Sequence, residues 1–141
     1  MGFDGTDGGR RALDRAIAES RASRAHITVL SVANVPLDPD APRYFGTLDD
    51  ISDREGAALA PPPDVVAHLT EARDRLRAAG LDASFTWTAG EPAHAIVESA
   101  RAIGAQVIVL GEHHHGFLGK AFGADVDAGV QREAGCEVIL A

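Results

Sequence analysis

Lysine is nearly absent from this 141-residue chain. Lys120 is the only one among 13 basic residues, which face 21 acidic ones for a formal net charge of −8. That balance excludes the usual electrostatic route to nucleic acid, where clustered Lys and Arg neutralise phosphates, and it excludes docking on an anionic membrane. The preference for arginine reads as codon bias, although guanidinium groups still suit carboxylate pairing. Cysteine occurs once, as Cys136, so no internal disulfide can form. Set in the apolar run CEVIL, Cys136 reads as an inert buried thiol. No apolar run approaches the ~20 residues of a membrane span, and the opening MGFDGTDGG lacks the features of a signal peptide. Gly2 with Thr6 fits a loose myristoylation pattern, but Phe3-Asp4 reads better as a strand end. A cytoplasmic protein is the expectation.

What is present is alternation. The length suits one domain with a real core, and 45% hydrophobic with 24% charged residues is ordinary for a globular chain. Met1-Gly2-Phe3 looks like the tail of a first strand, ended by Asp4-Gly5. Thr6 or Asp7 can cap a helix with Leu13, Ala16 and Ile17 on one face. His26 to Val32 is rich in β-branched residues and reads as a buried strand. Residues 64–79 form a helix with Val65, Leu69, Ala72 and Leu76 on one side and Gly80 after it. Leu81 to Thr88 alternates and suggests an exposed strand. Pro92 opens a helix marked by Ala93, Ile96, Val97 and Ala100. The strand QVIVL, a glycine-containing loop, a helix carrying Val126 and Val130, and the strand CEVIL follow. Strands separated by helices predict a parallel sheet covered on both faces, with its binding crevice beyond the carboxyl ends of the strands. Asp4 and Gly111 both fall at such ends, which joins them in one expected site.

Asn34 to Pro63 interrupts this pattern. It holds six of the seven prolines and reads as a flexible insertion, neither helix nor central strand, with Tyr44-Phe45 as a possible anchor.

FDGTDGGRRALDRAI, HITVLSV, AGEPAHAIVESARAIGAQVIVLGE and the closing loop through CEVIL resemble, in that order, the universal stress protein family. The resemblance covers nearly the whole chain except the proline-rich insertion. It implies a three-layer α/β/α fold with a five-stranded parallel sheet, strand order 3-2-1-4-5, of the adenine nucleotide alpha hydrolase-like type. It also implies a homodimer, and many members bind ATP. In those members an aspartate ending the first strand, the end of the second strand and a G-x2-G-x9-G-(S/T) loop surround the nucleotide. Asp4 matches the aspartate, Val32 the end of the second strand, and Leu110 with Gly111 the end of the fourth strand and the first motif glycine. The second motif glycine falls on His114, and the final Gly-Ser on Ala124-Asp125, followed by Val126. Gly123 supplies the missing glycine only if the loop is one residue shorter.

These departures have physical weight. Glycine lets backbone approach phosphate closely, which a β-carbon at His114 restricts. The motif hydroxyl donates a hydrogen bond, whereas an ionised Asp125 only accepts, and Asp125 can instead cap the helix N-terminus itself. A carboxylate ~4 Å from a phosphate charge is repelled by about 1 kcal/mol in water and about 4 in a partly buried site. A degenerate nucleotide cleft in a non-enzymatic stress-response or regulatory module is therefore the expectation. No cofactor is firmly expected, with ATP or another adenine nucleotide open. The alternative is an ATP-binding protein, even a slow ATPase, using Asp4, Gly111 and the backbone of residues 124–126.

Other motifs weigh less. Asp4 reads equally as a ligand to base or ribose and as a turn-capping carboxylate. DGTDGG lacks the P-loop lysine. His113-His114-His115 invites a metal, but consecutive loop histidines alternate in direction and no ligand pair elsewhere has zinc spacing, so no metal is expected. His68 and His94 read as exposed and His26 as a strand-edge residue. No nucleophile elbow is present, and a receiver-domain reading fails because Thr88-Ala89 stands where a phosphoacceptor aspartate belongs. The last strand, Cys136 to Leu140, lies at a sheet edge and predicts antiparallel pairing with a second copy. An unknown protein partner engaged by the same strand is the competing use of that edge.

Overall fold

Thr6 starts the first helix. Its hydroxyl accepts from the Gly9 N–H at 3.1 Å, satisfying one of the donors that a helix start leaves open. Helix α1 (Asp7–Ser23) then runs until Arg24, whose φ of 59° turns the chain out of it. The computed structural model describes residues 1–33, 45–47, 61–112 and 124–141, with backbone alone at 45, 124 and 125. The further elements are β1 (Ile27–Ala33), β2 (Phe45–Thr47), α2 (Pro63–Ala78), β3 (Ala83–Ala89), α3 (Pro92–Ala102), β4 (Val107–Leu110), α4 (Ala124–Glu133) and β5 (Glu137–Leu140).

β1 pairs parallel with β3, and β3 pairs antiparallel with β2, so these three form a mixed sheet. β4 and β5 form a separate parallel pair. In place of the expected single five-stranded, all-parallel sheet, the described residues thus form a mixed three-stranded sheet and a parallel pair. Met1-Gly2-Phe3 lies between them and makes a single bridge, Gly2 to Leu30. It still bonds to both sheets, because Phe3 N–H reaches the Leu30 carbonyl at 2.9 Å and Gly2 N–H the Val109 carbonyl at 3.1 Å.

The antiparallel member, β2, comes from the proline-rich segment that the sequence reading left without strands. Phe45, Gly46 and Thr47 contain no proline, so each can donate to the ladder. The rest of the 34–63 insertion, apart from 45–47 and 61–63, lies outside the described residues. β2 also corrects the reading of β3 as an exposed strand. With a neighbour on each edge β3 is an inner strand, and its second half (Trp87, Thr88, Ala89) is buried.

Helices cover both faces. On one, Ala12, Leu13 and Ala16 of α1 and Val65, Leu69, Ala72 and Leu76 of α2 pack with Val29, Trp87 and Val109. On the other, Ala93, Ile96 and Val97 of α3 and Val130 of α4 pack with Leu30, Ile108 and Leu110. Val29 and Leu30, like Ile108 and Val109, are split between the two cores, as the two-residue period of a strand requires. Each fully buried Leu or Val contributes about 1.5–3 kcal/mol of transfer free energy, so the helical stripes read from the sequence are the fold's main adhesive. Cys136 is half-buried at the margin of the second core, less enclosed than expected. Among the described residues, no helix is long and apolar enough to cross a membrane.

Candidate nucleotide cleft

Asp4 follows Phe3, where the N-terminal segment leaves the sheet, and it is held by the turn it makes. One carboxylate oxygen accepts from Thr6 N–H at 3.0 Å and from the Thr6 hydroxyl at 2.7 Å, while that hydroxyl accepts from Gly9 N–H. Asp4 therefore does serve the turn, and it remains exposed beside a cleft. Gly9 is the consequence: a β-carbon there would stand 2.6 Å from the Asp4 carboxylate. Gly8 and Gly9 open a helix, where glycine costs about 1 kcal/mol relative to alanine, and the closeness of Asp4 and of the β4 end explains that cost.

The second wall is the end of β4. A β-carbon on Gly111 would overlap the Gly8 carbonyl group, so this glycine is fixed by packing against the first turn of α1. Arg11 ties the same junction by donating to the Glu112 carbonyl at 2.9 Å. Arg10 braces α1 from the other side, holding Glu71 of α2 through two bonds of 2.7 and 3.1 Å and Asp7 through one of 3.1 Å. The hydrogen bond from Arg10 is the main reason the Glu71 carboxyl lies below its ordinary range.

Between these walls lies a cleft of about 290 Å³ at the carboxyl ends of β1 and β4. Asp4, Val32, Leu110, Gly111 and Val126, all expected from sequence, line it together. His114 lies outside the described residues, as do His113 and His115. Ala124 and Asp125 are placed by their backbone alone. Ala124 is the first residue of α4 and Asp125 the second.

The sequence reading missed Gly9, Leu30, Pro92, Ile96 and Asp127, which also line the cleft. Asp127 stands two positions beyond the family motif and matches nothing in it. The Gly-Gly pair was a readable signal, since two glycines at a helix start need a packing reason. Glu91 is a further surprise. Its carboxylate caps α3, accepting from Ala93 N–H at 3.1 Å and His94 N–H at 2.7 Å, so those two donors are already used.

The histidines divide. His94 is exposed as expected, and His26 sits at the strand edge with Nε2 2.9 Å from the Ser84 hydroxyl. His68 departs from expectation. It is half-buried, edge-on to Phe3 with ring centroids 6.4 Å apart, and a β-carbon on Gly5 would meet its ring at 2.6 Å. Gly5 has φ of 71°, so both its backbone and its space call for glycine.

The profile of the universal stress protein family matches residues 1–141. Universal stress protein YxiE of Bacillus subtilis (strain 168) is 24% identical, over 99% of this chain and 95% of its own length. Among solved structures, a universal stress protein in complex with cAMP is 31% identical, with a TM-score of 0.67 over 100% of this chain and 93% of that one. The universal stress protein from Archaeoglobus fulgidus has the same TM-score at 20% identity, covering 99% and 88% of the two chains, which shows a shared fold. The chain belongs to the universal stress protein family.

Proposed function

We propose that this chain is a non-enzymatic regulatory module whose cleft takes an adenine mononucleotide and disfavours the triphosphate. The observation that carries the reading is the composition of the cleft. Val32, Leu110, Ile96 and Val126 offer apolar walls for a flat base, and Asp4 is placed to accept from ribose hydroxyls. The charged side chains among the described lining residues are two carboxylates, Asp4 and Asp127, and no Lys or Arg is among them. Each carboxylate near a phosphate charge opposes binding by about 1 kcal/mol in water to about 4 in a partly buried site. That opposition grows with each added phosphate, so a cyclic or simple monophosphate is the best-tolerated anion.

The cAMP complex of the 31% identical relative supports this choice of ligand. The substitutions at His114 and Ala124-Asp125 weaken the phosphate end in the same direction. ATP remains the competing ligand under one condition. A divalent cation shared by Asp127 and phosphate oxygens would convert repulsion into a bridge, since hard cations accept both.

Met1–Phe3 bonds to β1 on one side and β4 on the other, as the 2-1-4 part of the expected strand order requires, and we read this segment as part of the central strand. We further propose that the module works inside the cell as a homodimer. Among the described residues β5 pairs with β4 alone, which leaves an edge carrying Val138, Ile139 and Leu140 for a second copy. Native mass spectrometry of the purified protein tests the ligand reading. A co-purifying adenine mononucleotide supports it, and stoichiometric ATP in metal-free buffer overturns it.

A further inference from the structure

Asp4 lines the cleft beside the residue type with the freest backbone. Gly5 follows it with φ of 71°, and glycine takes either sign of φ at little cost. Thr6 holds the Asp4 carboxylate through its N–H and its hydroxyl, yet the residue between the two is this glycine. Fixing Asp4 therefore requires that Gly5 be held as well.

That support comes from α2. A β-carbon on Gly5 would stand 2.6 Å from Cδ2 and 2.8 Å from Nε2 of His68, so the outer edge of the imidazole lies against Gly5. The ring is itself held on two more sides. Phe3 meets it edge-on, with centroids 6.4 Å apart and planes at 85°, and its Nδ1 lies 3.5 Å from the hydroxyl of Ser31, a residue only 1% exposed. An aliphatic side chain at 68 would serve the packing but would turn carbon toward that buried hydroxyl. Phe3 belongs to the core under α1 and α2, whereas Leu30, Ile96 and Leu110 of the cleft belong to the opposite one. The segment carrying Asp4 thus has the cleft on one side and His68 on the other. Glu71, three residues along α2 and on the same face as His68, holds Arg10 through two bonds of 2.7 and 3.1 Å. Helix α2 grips the chain on both sides of the Thr6 cap.

We infer that His68 is a positioning residue for nucleotide binding. It is not among the residues that line the cleft; its ring backs Gly5, so that Asp4 is already in place for the ribose hydroxyls when the nucleotide arrives. Less ordering then has to be supplied on binding, which is how a rigid support behind a contact residue raises affinity. This role rests on the proposed contact between Asp4 and the ribose.

The test is titration of the full chain, in metal-free buffer, with AMP and with 2′,3′-dideoxy-AMP, whose ratio of dissociation constants isolates the ribose hydroxyls. The parent should favour AMP by about tenfold or more, as hydrogen bonds to a carboxylate require. Two amide variants then differ only in reach. His68→Gln extends as far as Nε2 and should keep at least about half of that ratio, whereas His68→Asn stops short of Gly5 and should lower it to below about threefold by weakening AMP alone. In Asp4→Ala the ratio should be near one, and adding His68→Asn should change it no further. Far-ultraviolet circular dichroism should be the same throughout, because Val65, Leu69, Ala72 and Leu76 still seat the helix. A ratio fully kept in His68→Asn overturns the role of His68 and leaves the cleft's ligand standing. Equal weakening of both ligands does the same, since that marks a merely structural residue, and so does failure of both amide variants to fold. A parent that does not bind AMP, or binds both ligands alike, overturns the ribose contact and the role of His68 together.

Discussion

Gly111 lies so close to Gly8 that the carbonyl of one fills the space where a β-carbon of the other would stand. This contact joins the end of β4 to the first turn of α1 beside the cleft, which Gly9 and Gly111 line. A methyl group at 111 has only backbone to push against, so neither side can yield by a rotamer change. Gly111→Ala should destabilise the fold by roughly 1–3 kcal/mol, the range for overpacking. Gly135→Ala is the control, because nothing lies within 4 Å of a β-carbon there, and it should be neutral or slightly stabilising. Urea unfolding of the two variants checks the contrast.

Thr6 links stability to the site. Its hydroxyl caps α1 and at the same time holds the Asp4 carboxylate. Thr6→Ala should cost ~1 kcal/mol of stability and also weaken nucleotide binding, by freeing Asp4 to turn away. Thr6→Ser keeps the hydroxyl and should restore both, as thermal melts and ligand titration will show.

The pairing of Arg10 with Glu71 predicts a sign for acid stability. Glu71 is held below its ordinary value chiefly by the Arg10 hydrogen bond, so the folded state binds its proton less readily than the unfolded chain. Its stabilising effect is complete above the unfolded Glu value of about 4.3 and is lost as pH falls through the lower folded value. Glu71→Gln should therefore be less stable than the parent near neutrality, and the gap should close below about pH 4. The pair is partly exposed, so salt should shrink the gap as well. Denaturant midpoints across pH settle it.

Asp127 is the carboxylate the motif did not announce. Asp127→Asn removes one negative charge from the cleft and should tighten ATP binding by about five- to tenfold, the equivalent of about 1 kcal/mol at solvent-like screening, with a smaller gain for AMP. Equal gains for both ligands would mean that Asp127 does not face the phosphates.

Much of the layout could be read in advance because it rests on periodicity. Val65, Leu69, Ala72 and Leu76 are all buried as their spacing required, and Asp4, Val32, Leu110, Gly111 and Val126 meet because all lie at the carboxyl ends of strands or at the helix facing them. The errors are tertiary. β2 was hidden because proline density in its surroundings outweighed three compatible residues. The burial of Trp87, Thr88 and Ala89 depends on that same strand, so the second error followed from the first. His68 looked exposed from its helical neighbours, yet the glycine at position 5 leaves room for its ring against Phe3. No local pattern on α2 encodes a space made by another segment.

Isothermal titration of the purified protein with cAMP, AMP and ATP, in buffer freed of divalent cations, tests the central claim most directly. The carboxylate-lined cleft predicts that cAMP or AMP binds at least tenfold more tightly than ATP. Tighter binding of ATP under those conditions, or no heat from any of the three, would contradict it.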